Sequence, residues 1–198
     1  VDSGGQYRDG TTDITRTVAL GPLTDKMKRC YTAVLKGHIV LASARFDAET
    51  TGEELDQRTR EPLRAQGLDY LHGTGHGVGH LLSVHEGPQT ISPRGKDCHV
   101  LPGMISSDEP GVYLEGKYGI RTENELVCHK AEKNEYGQFM NFENITYAPI
   151  DLDAIDPDEM TGREKKMLND YHAMVYKTLS PYMTPEENEW LKKYTRAI

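Results

Sequence analysis

The sequence predicts an α+β protein from three features. A turn-centred hairpin opens the chain, short runs of alternating apolar and polar residues occupy its middle, and capped amphipathic helices stand near the start and at the end. Residues 1–20 read as the hairpin: 6–7 and 14–18 are strand-like, and Arg8-Asp9-Gly10 supplies the turn. Asp2 and Asp13 fall on its two arms, where antiparallel pairing about the turn would bring their carboxylates together. From Thr24, the residues Met27, Cys30, Tyr31, Val34, Leu35, His38 and Leu41 recur at three- and four-residue spacing, one apolar face of a helix, with His38 read as a core histidine. Thr51-Gly-Glu-Glu54 is a capping-box pattern opening a second helix to about Gln66, closed by Gly67-Leu68.

Residues 68–71 read as a short strand leading into His72-Gly-Thr-Gly-His76-Gly-Val-Gly, followed by Val84-His85-Glu86-Gly87-Pro88. A helical HxxxH pair can hold a metal. Glycines at 73, 75, 77 and 79 disfavour helix, so these histidines are expected on a strand and loop, facing a cavity. His80 and His99 read as solvated. Residues 88–100 read as loop, 104–107 as a strand, 113–118 as a turn around Gly116, and 119–127 as one strand with Arg121, Glu123 and Glu125 on a shared face. Asp108 and Glu109 are adjacent and point to opposite faces of a strand, so only one of them can serve a shared site; the residues alone leave open which. Residues 145–150 resemble a last strand. An acidic linker follows, and Thr161-Gly-Arg-Glu164 and Thr184-Pro-Glu-Glu187 cap two helices expected to pack as a hairpin on the body or on a partner subunit.

The chain has 198 residues, 36% hydrophobic and 27% charged, which is the balance of a soluble globular protein. A net charge of −8 argues against nucleic acid or an anionic membrane as partner, and no apolar run reaches the roughly 18 residues of a membrane span. Three cysteines without a CxxC pair, at 30, 98 and 128, are expected as free thiols of a reducing, cytoplasmic compartment. The start at Val1-Asp2-Ser3 falls in mid-pattern, which predicts a longer protein of which this is the C-terminal piece.

Four carboxylates and one imidazole (Asp2, Asp13, His76, Glu109 and Glu123) form a donor set suited to two divalent cations, with manganese favoured by the oxygen-rich ligation and zinc or cobalt also fitting. Without cations such carboxylates repel and some must be protonated. A water held between two metals is a hydroxide nucleophile near neutral pH, and the remaining histidines would serve an oxyanion or a leaving amine.

Four blocks carry a resemblance: DSGGQYRDGTTDITRT at 2–17, HGTGHGVGHLLSVHEGP at 72–88, SDEPGVY at 107–113 and GIRTEN at 119–124. In this order and spacing the chain resembles the pita-bread metallopeptidases, peptidase family M24, and is most similar to their aminopeptidase P (Xaa-Pro aminopeptidase) branch. The resemblance covers about residues 1–150, with 151–198 resembling the helical extension of three-domain members. It implies a curved antiparallel sheet with flanking helices, truncated at its N-terminal side. The activity it implies is hydrolysis of the N-terminal Xaa-Pro bond of peptides by a metal-bridging hydroxide. It assigns Asp2 to one metal, Asp13 and Glu123 to bridging, and His76 and Glu109 to the second metal. Glu109 would also be the general base, which selects it over Asp108. His85 would stabilise the intermediate, His72 would line the substrate pocket, and Arg121 would sit beside the bridging carboxylates. The partners implied are a peptide with proline second, the absent N-terminal portion and a second copy in a homodimer. The alternatives are prolidase, acting on Xaa-Pro dipeptides, and a non-catalytic binding module on the same fold.

Overall fold

The computed structural model describes residues 1–198. In chain order the elements are β1 (Asp2–Tyr7), β2 (Gly10–Thr15), α1 (Asp25–Ala42), β3 (Arg45–Asp47), α2 (Gly52–Arg64), β4 (Gly75–His76), β5 (Thr90–Ile91), β6 (Ile105–Asp108), β7 (Gly111–Leu114), β8 (Tyr118–Arg121), β9 (Asn124–Asn134), β10 (Gly137–Asn144), α3 (Gly162–Leu179) and α4 (Pro185–Tyr194). An antiparallel sheet of order β3-β10-β9-β6 forms the centre, and β1-β2, β4-β5 and β7-β8 are two-stranded antiparallel pairs around it. Helices and antiparallel strands together make the predicted α+β class.

The helices begin where the caps place them. Thr24 Oγ1 accepts from Met27 N, and Thr51, Thr161 and Thr184 each close a complete capping box with the glutamate three residues on. Each cap satisfies N–H groups that a helix start leaves without partners, an effect of about 1 kcal/mol. Gly67, at φ +70°, follows the last turn of α2, a conformation glycine takes without steric cost.

Two cores hold the layers. One joins Tyr31, Val34 and Leu35 of α1 to Val112 and Ile120 of the β7-β8 hairpin and to Ile150, Leu152, Ile155 and Leu168 of the C-terminal region. The other joins Leu55 of α2 to Phe46, Leu126, Met140 and Phe142 of the sheet. Leu168 and Val175 of α3 and Leu191 of α4 are buried, each contributing about 1.5–3 kcal/mol relative to exposure. No helix is long and apolar enough to cross a membrane.

Three expected strands differ. Residues 145–150 are irregular, because side chains take the backbone acceptors a ladder would use. Arg16 donates to Ala148 O and Pro149 O, and the Tyr171 hydroxyl lies 2.8 Å from Ala148 O and 3.1 Å from Thr146 O, sharing its one hydrogen between them. Residues 68–71 are not a strand for the same reason, since Arg60 takes Tyr70 O at 2.6 Å. The expected strand 119–127 breaks at Thr122-Glu123 into β8, paired with β7, and β9, paired with β6 and β10.

Candidate metal centre

The hairpin register pairs Asp2 with Thr15 and Gly4 with Asp13, so Asp2 and Asp13 lie diagonally on one face. That face meets the junction of β8 and β9. Glu123 N donates to Thr15 O at 3.0 Å, Thr15 Oγ1 donates to Glu123 Oε2 at 2.6 Å, and Asp13 N donates to Glu125 Oε1 at 2.7 Å. Arg121, Glu123 and Glu125 therefore still turn towards one neighbour despite the break in the strand.

From the other side β4 brings His76. Its N–H donates to Ser107 Oγ at 3.0 Å, and Ser107 Oγ donates to Glu109 Oε1 at 3.1 Å. The glycines here serve close approach: a Cβ on Gly75 would lie 2.0 Å from Ser107 O, and one on Gly77 2.0 Å from Glu86 O. Asp108 and Glu109 part company as period-2 geometry requires. Asp108 is buried with Oδ2 3.0 Å from His38 Nδ1 on α1, while Glu109 Oε1 lies 3.1 Å from His76 Nε2.

The structure brings the five predicted donor residues together. One possible ligand atom from each of Asp2, Asp13 and Glu123 lies within 4.8 Å of the others, and the same holds for His76, Glu109 and Glu123 and for Asp13, His76 and His85. These groups overlap, so the cluster is continuous, and on distance alone His85 is a further donor to it.

His76 is the sharpest indicator of what belongs there. Its Nδ1 lies 3.0 Å from Gly77 O, an atom that only accepts, so Nδ1 carries hydrogen. Nε2 is shut from solvent, 3.1 Å from Glu109 Oε1 and 3.6 Å from Asp13 Oδ2, yet aligned for a hydrogen bond with neither. In neutral His76 that nitrogen aims a lone pair at carboxylate oxygens. The site therefore calls for positive charge at this point. Burial lowers the affinity of His76 for a proton, but Glu109, the Gly77 carbonyl and Asp13 outweigh it and hold the pKa above its ordinary value. Burial, followed by the charges of Glu109 and Asp13, pushes Glu123 up to about 8. Burial, followed by the charge of Asp13, pushes Glu125 up to about 7. Asp13 is raised by burial and by Glu109 and Asp2, against the pull of His76. Crowded, desolvated carboxylates around the buried His76 Nε2 fit two divalent cations, which would remove the repulsion at its source.

The remaining predicted residues line the approach. The His85 ring stands edge-on to His76, centroids 4.3 Å apart. His72 Nδ1 donates to Gly73 O at 2.7 Å, which leaves Nε2 to accept from Tyr113 OH at 2.9 Å. Arg121 Nη1 donates to the same Tyr113 oxygen at 3.0 Å, Nη2 pairs with Asp2, and Nε lies 3.9 Å from Glu109 Oε2. His72, His76, His85, Tyr113 and Arg121 open onto a cavity of about 920 Å³. An apolar cavity of about 360 Å³ between α1 and α3 contains none of these groups. Tyr113, Thr15 and Ser107 escaped the reading of the sequence. Tyr113 and Ser107 stand in the SDEPGVY block and Thr15 in the hairpin block, but each has an ordinary local role as well, and only proximity gives it another.

Residues 1–130 match the family model described as metallopeptidase family M24, and residues 138–198 match the model for the C-terminal region of peptidase M24. Aminopeptidase P1 of Arabidopsis thaliana is 49% identical over 202 residues, an alignment covering 100% of this chain and 31% of that protein. The crystal structure of X-prolyl aminopeptidase from Caenorhabditis elegans, described as a cytosolic enzyme with a di-nuclear active site, superposes with a TM-score of 0.92 at 40% identity, covering 100% of this chain and 33% of that one. Xaa-Pro dipeptidase from Bacillus anthracis superposes with a TM-score of 0.63 at 34% identity, covering 76% and 39%. The chain spans about a third of the length of the curated relatives it matches.

Proposed function

We propose that this chain, which belongs to metallopeptidase family M24, is the C-terminal catalytic part of an aminopeptidase that removes the first residue from peptides with proline second. The observation that carries the reading is the buried His76 Nε2, without a hydrogen-bond partner and facing the carboxylates of Glu109 and Asp13 at 3.1 and 3.6 Å within a continuous cluster of donors. Asp2, Asp13, His76, Glu109 and Glu123 would hold two divalent cations, manganese by the hardness of the donors. Bound there, the cations would supply an activated water and polarise the scissile carbonyl.

The chain's own residues do the rest. Glu109, held by the Ser107 hydroxyl, takes a proton from the attacking water and passes it towards the leaving nitrogen. Proline's ring nitrogen becomes a secondary amine on cleavage, so it must receive that proton. His85, beside His76, donates towards the oxyanion of the intermediate. Arg121, Tyr113 and His72 form one hydrogen-bonded row from Asp2 to the cavity wall, which orients the Asp2 carboxylate and presents His72 to substrate. A proline in second position has no N–H and a fixed φ, a rigid shape this wall can select.

Residues 1–150 form the C-terminal portion of the catalytic domain in this reading and 151–198 its helical extension. The intact protein is a cytoplasmic homodimer that carries further N-terminal segments. Identity of 49% along the whole chain to aminopeptidase P1 and the TM-score of 0.92 to an X-prolyl aminopeptidase support aminopeptidase over prolidase. The test uses the full-length protein: elemental analysis with hydrolysis of an Xaa-Pro-Xaa tripeptide and an Xaa-Pro dipeptide in manganese. About two metals per chain, cleavage of the tripeptide and loss of turnover in Glu109→Ala are expected. Cleavage of the dipeptide alone would make it a prolidase, and absence of both metal and turnover in the full-length protein would sink the enzyme reading.

A further inference from the structure

The core-facing side of α2 carries an ion pair that no part of the mechanism above uses. Asp56 and Arg60 are one helical turn apart, with side chains 1% and 2% exposed, and Arg60 Nε donates to Asp56 Oδ2 at 2.7 Å. Desolvating two charges costs several kcal/mol each, and a well-packed apolar pair of similar volume commonly serves stability as well or better. Stability is therefore a poor account of why this face of the helix is charged.

The bonds the pair makes point elsewhere. Apart from Asp56, every acceptor of Arg60 lies in residues 69–72: Asp69 Oδ1 at 2.7 Å, Tyr70 O at 2.6 Å and His72 O at 2.6 Å. Its guanidinium also stacks on the Tyr70 ring, 3.9 Å from the centroid. The second Asp56 oxygen accepts from Thr74 Oγ1 at 2.6 Å, and that hydroxyl in turn accepts from Tyr70 OH at 2.5 Å. Thr74 O accepts from Glu109 N at 2.8 Å. One buried pair thus fixes residues 70, 72 and 74, and through Thr74 the backbone of Glu109.

The held segment needs an outside constraint. Gly73, Gly75, Gly77 and Gly79 give it more backbone freedom than any other stretch of this length in the chain, yet Gly75 and Gly77 cannot be replaced without striking the carbonyls of Ser107 and Glu86. Gly75 and His76 pair with β5, Gly77 bridges Ser106 and Val78 N donates to Ile105 O, but residues 70–74 lie in no strand, so backbone pairing supplies little of their rigidity. We propose that Asp56 and Arg60 are positioning residues of the candidate metal centre: the pair clamps the 70–74 backbone so that His72, His76 and Glu109 stand in working register. The proposal rests on the metallopeptidase reading of the site.

The test compares full-length wild type with Arg60→Lys, Arg60→Met and Thr74→Val. Lysine keeps the charge but offers one point of donation in place of the guanidinium fork. Valine keeps the shape of Thr74 and removes its link to Asp56. Manganese affinity of the metal-free proteins, thermal melting, and kcat and KM on an Xaa-Pro-Xaa peptide are measured together. Manganese affinity and kcat are expected to fall about 10–100-fold in Arg60→Lys, the loss typical when groups supporting metal ligands are removed, and about tenfold in Thr74→Val. KM should stay within about twofold in Thr74→Val and rise in Arg60→Lys, which loosens the His72 carbonyl, and both variants should remain folded at the assay temperature. Manganese affinity and kcat equal to wild type in Arg60→Lys and Arg60→Met would overturn the clamp alone. So would losses that track the unfolded fraction in every variant. A wild-type protein that binds no metal would instead overturn the reading of the site, and the clamp with it.

Discussion

Binding of divalent cations should expel protons from this site, in a number that the buried carboxylates determine. With Glu123 raised to about 8, about nine-tenths of that carboxyl is protonated at pH 7 in the metal-free protein, and Glu125, at about 7, is about half protonated. A cation among Asp13, Glu109 and Glu123 favours the ionised forms, so the protons leave as it enters. Because these groups interact, the protons belong to the cluster more than to one carboxyl. More than one proton per chain is expected at pH 7, more still at pH 6, where His76, held above its ordinary value, adds its own, and fewest at pH 9. The assay is calorimetric titration of manganese into the metal-free full-length protein, repeated in buffers of different ionisation enthalpy. The slope of apparent heat against that enthalpy counts the protons. The sign has a second consequence. A carboxyl whose pKa is raised on folding binds more protons folded than unfolded, so the metal-free protein loses stability as pH rises from about 4.5 through 8, by up to about 1.4 kcal/mol per pH unit. Stabilisation by added metal should therefore be largest on the alkaline side. A proton count near zero and flat from pH 6 to 9 would refute the crowded, desolvated description of the site.

Gly75→Ala should destabilise the protein by ~1–3 kcal/mol in urea and weaken manganese binding at least tenfold, because its Cβ meets the Ser107 carbonyl oxygen at 2.0 Å; unchanged values would show that the backbone yields there. His172 in α3 is fully buried, its Nε2 accepting from Ile150 N at 3.1 Å, and burial depresses its pKa to about 4. The unfolded chain protonates this ring near 6.5 and the folded one does not, so folding stability should fall by about 3 kcal/mol as pH drops from 7 to 4. A His172 proton resonance titrating near 6.5 would contradict that.

The elements legible in the residues alone are those that local chemistry fixes. Threonine caps and three- and four-residue periods locate α1 to α4 within about two residues, because a helix satisfies its own backbone and its signals lie within a few residues of one another. The β1-β2 hairpin and the four matching blocks were legible for the same reason. The strands expected at 68–71 and 145–150 were misread because their carbonyls are bound by Arg60, Arg16 and Tyr171, side chains up to 133 residues away that no local pattern records. The choice between Asp108 and Glu109 was likewise beyond the residues alone, since period two says that they face apart but not which face meets His76. The distances within the cluster come from the packing of elements far apart in the chain. Thr15 meets Glu123 across 108 residues and Asp13 meets Glu125 across 112, through strand register and the approach of one sheet to another. Register is a property of pairs of strands, so the distances that raise the Glu123 carboxyl to about 8, or leave His76 Nε2 facing carboxylates without a hydrogen-bond partner, arise only when those strands come together.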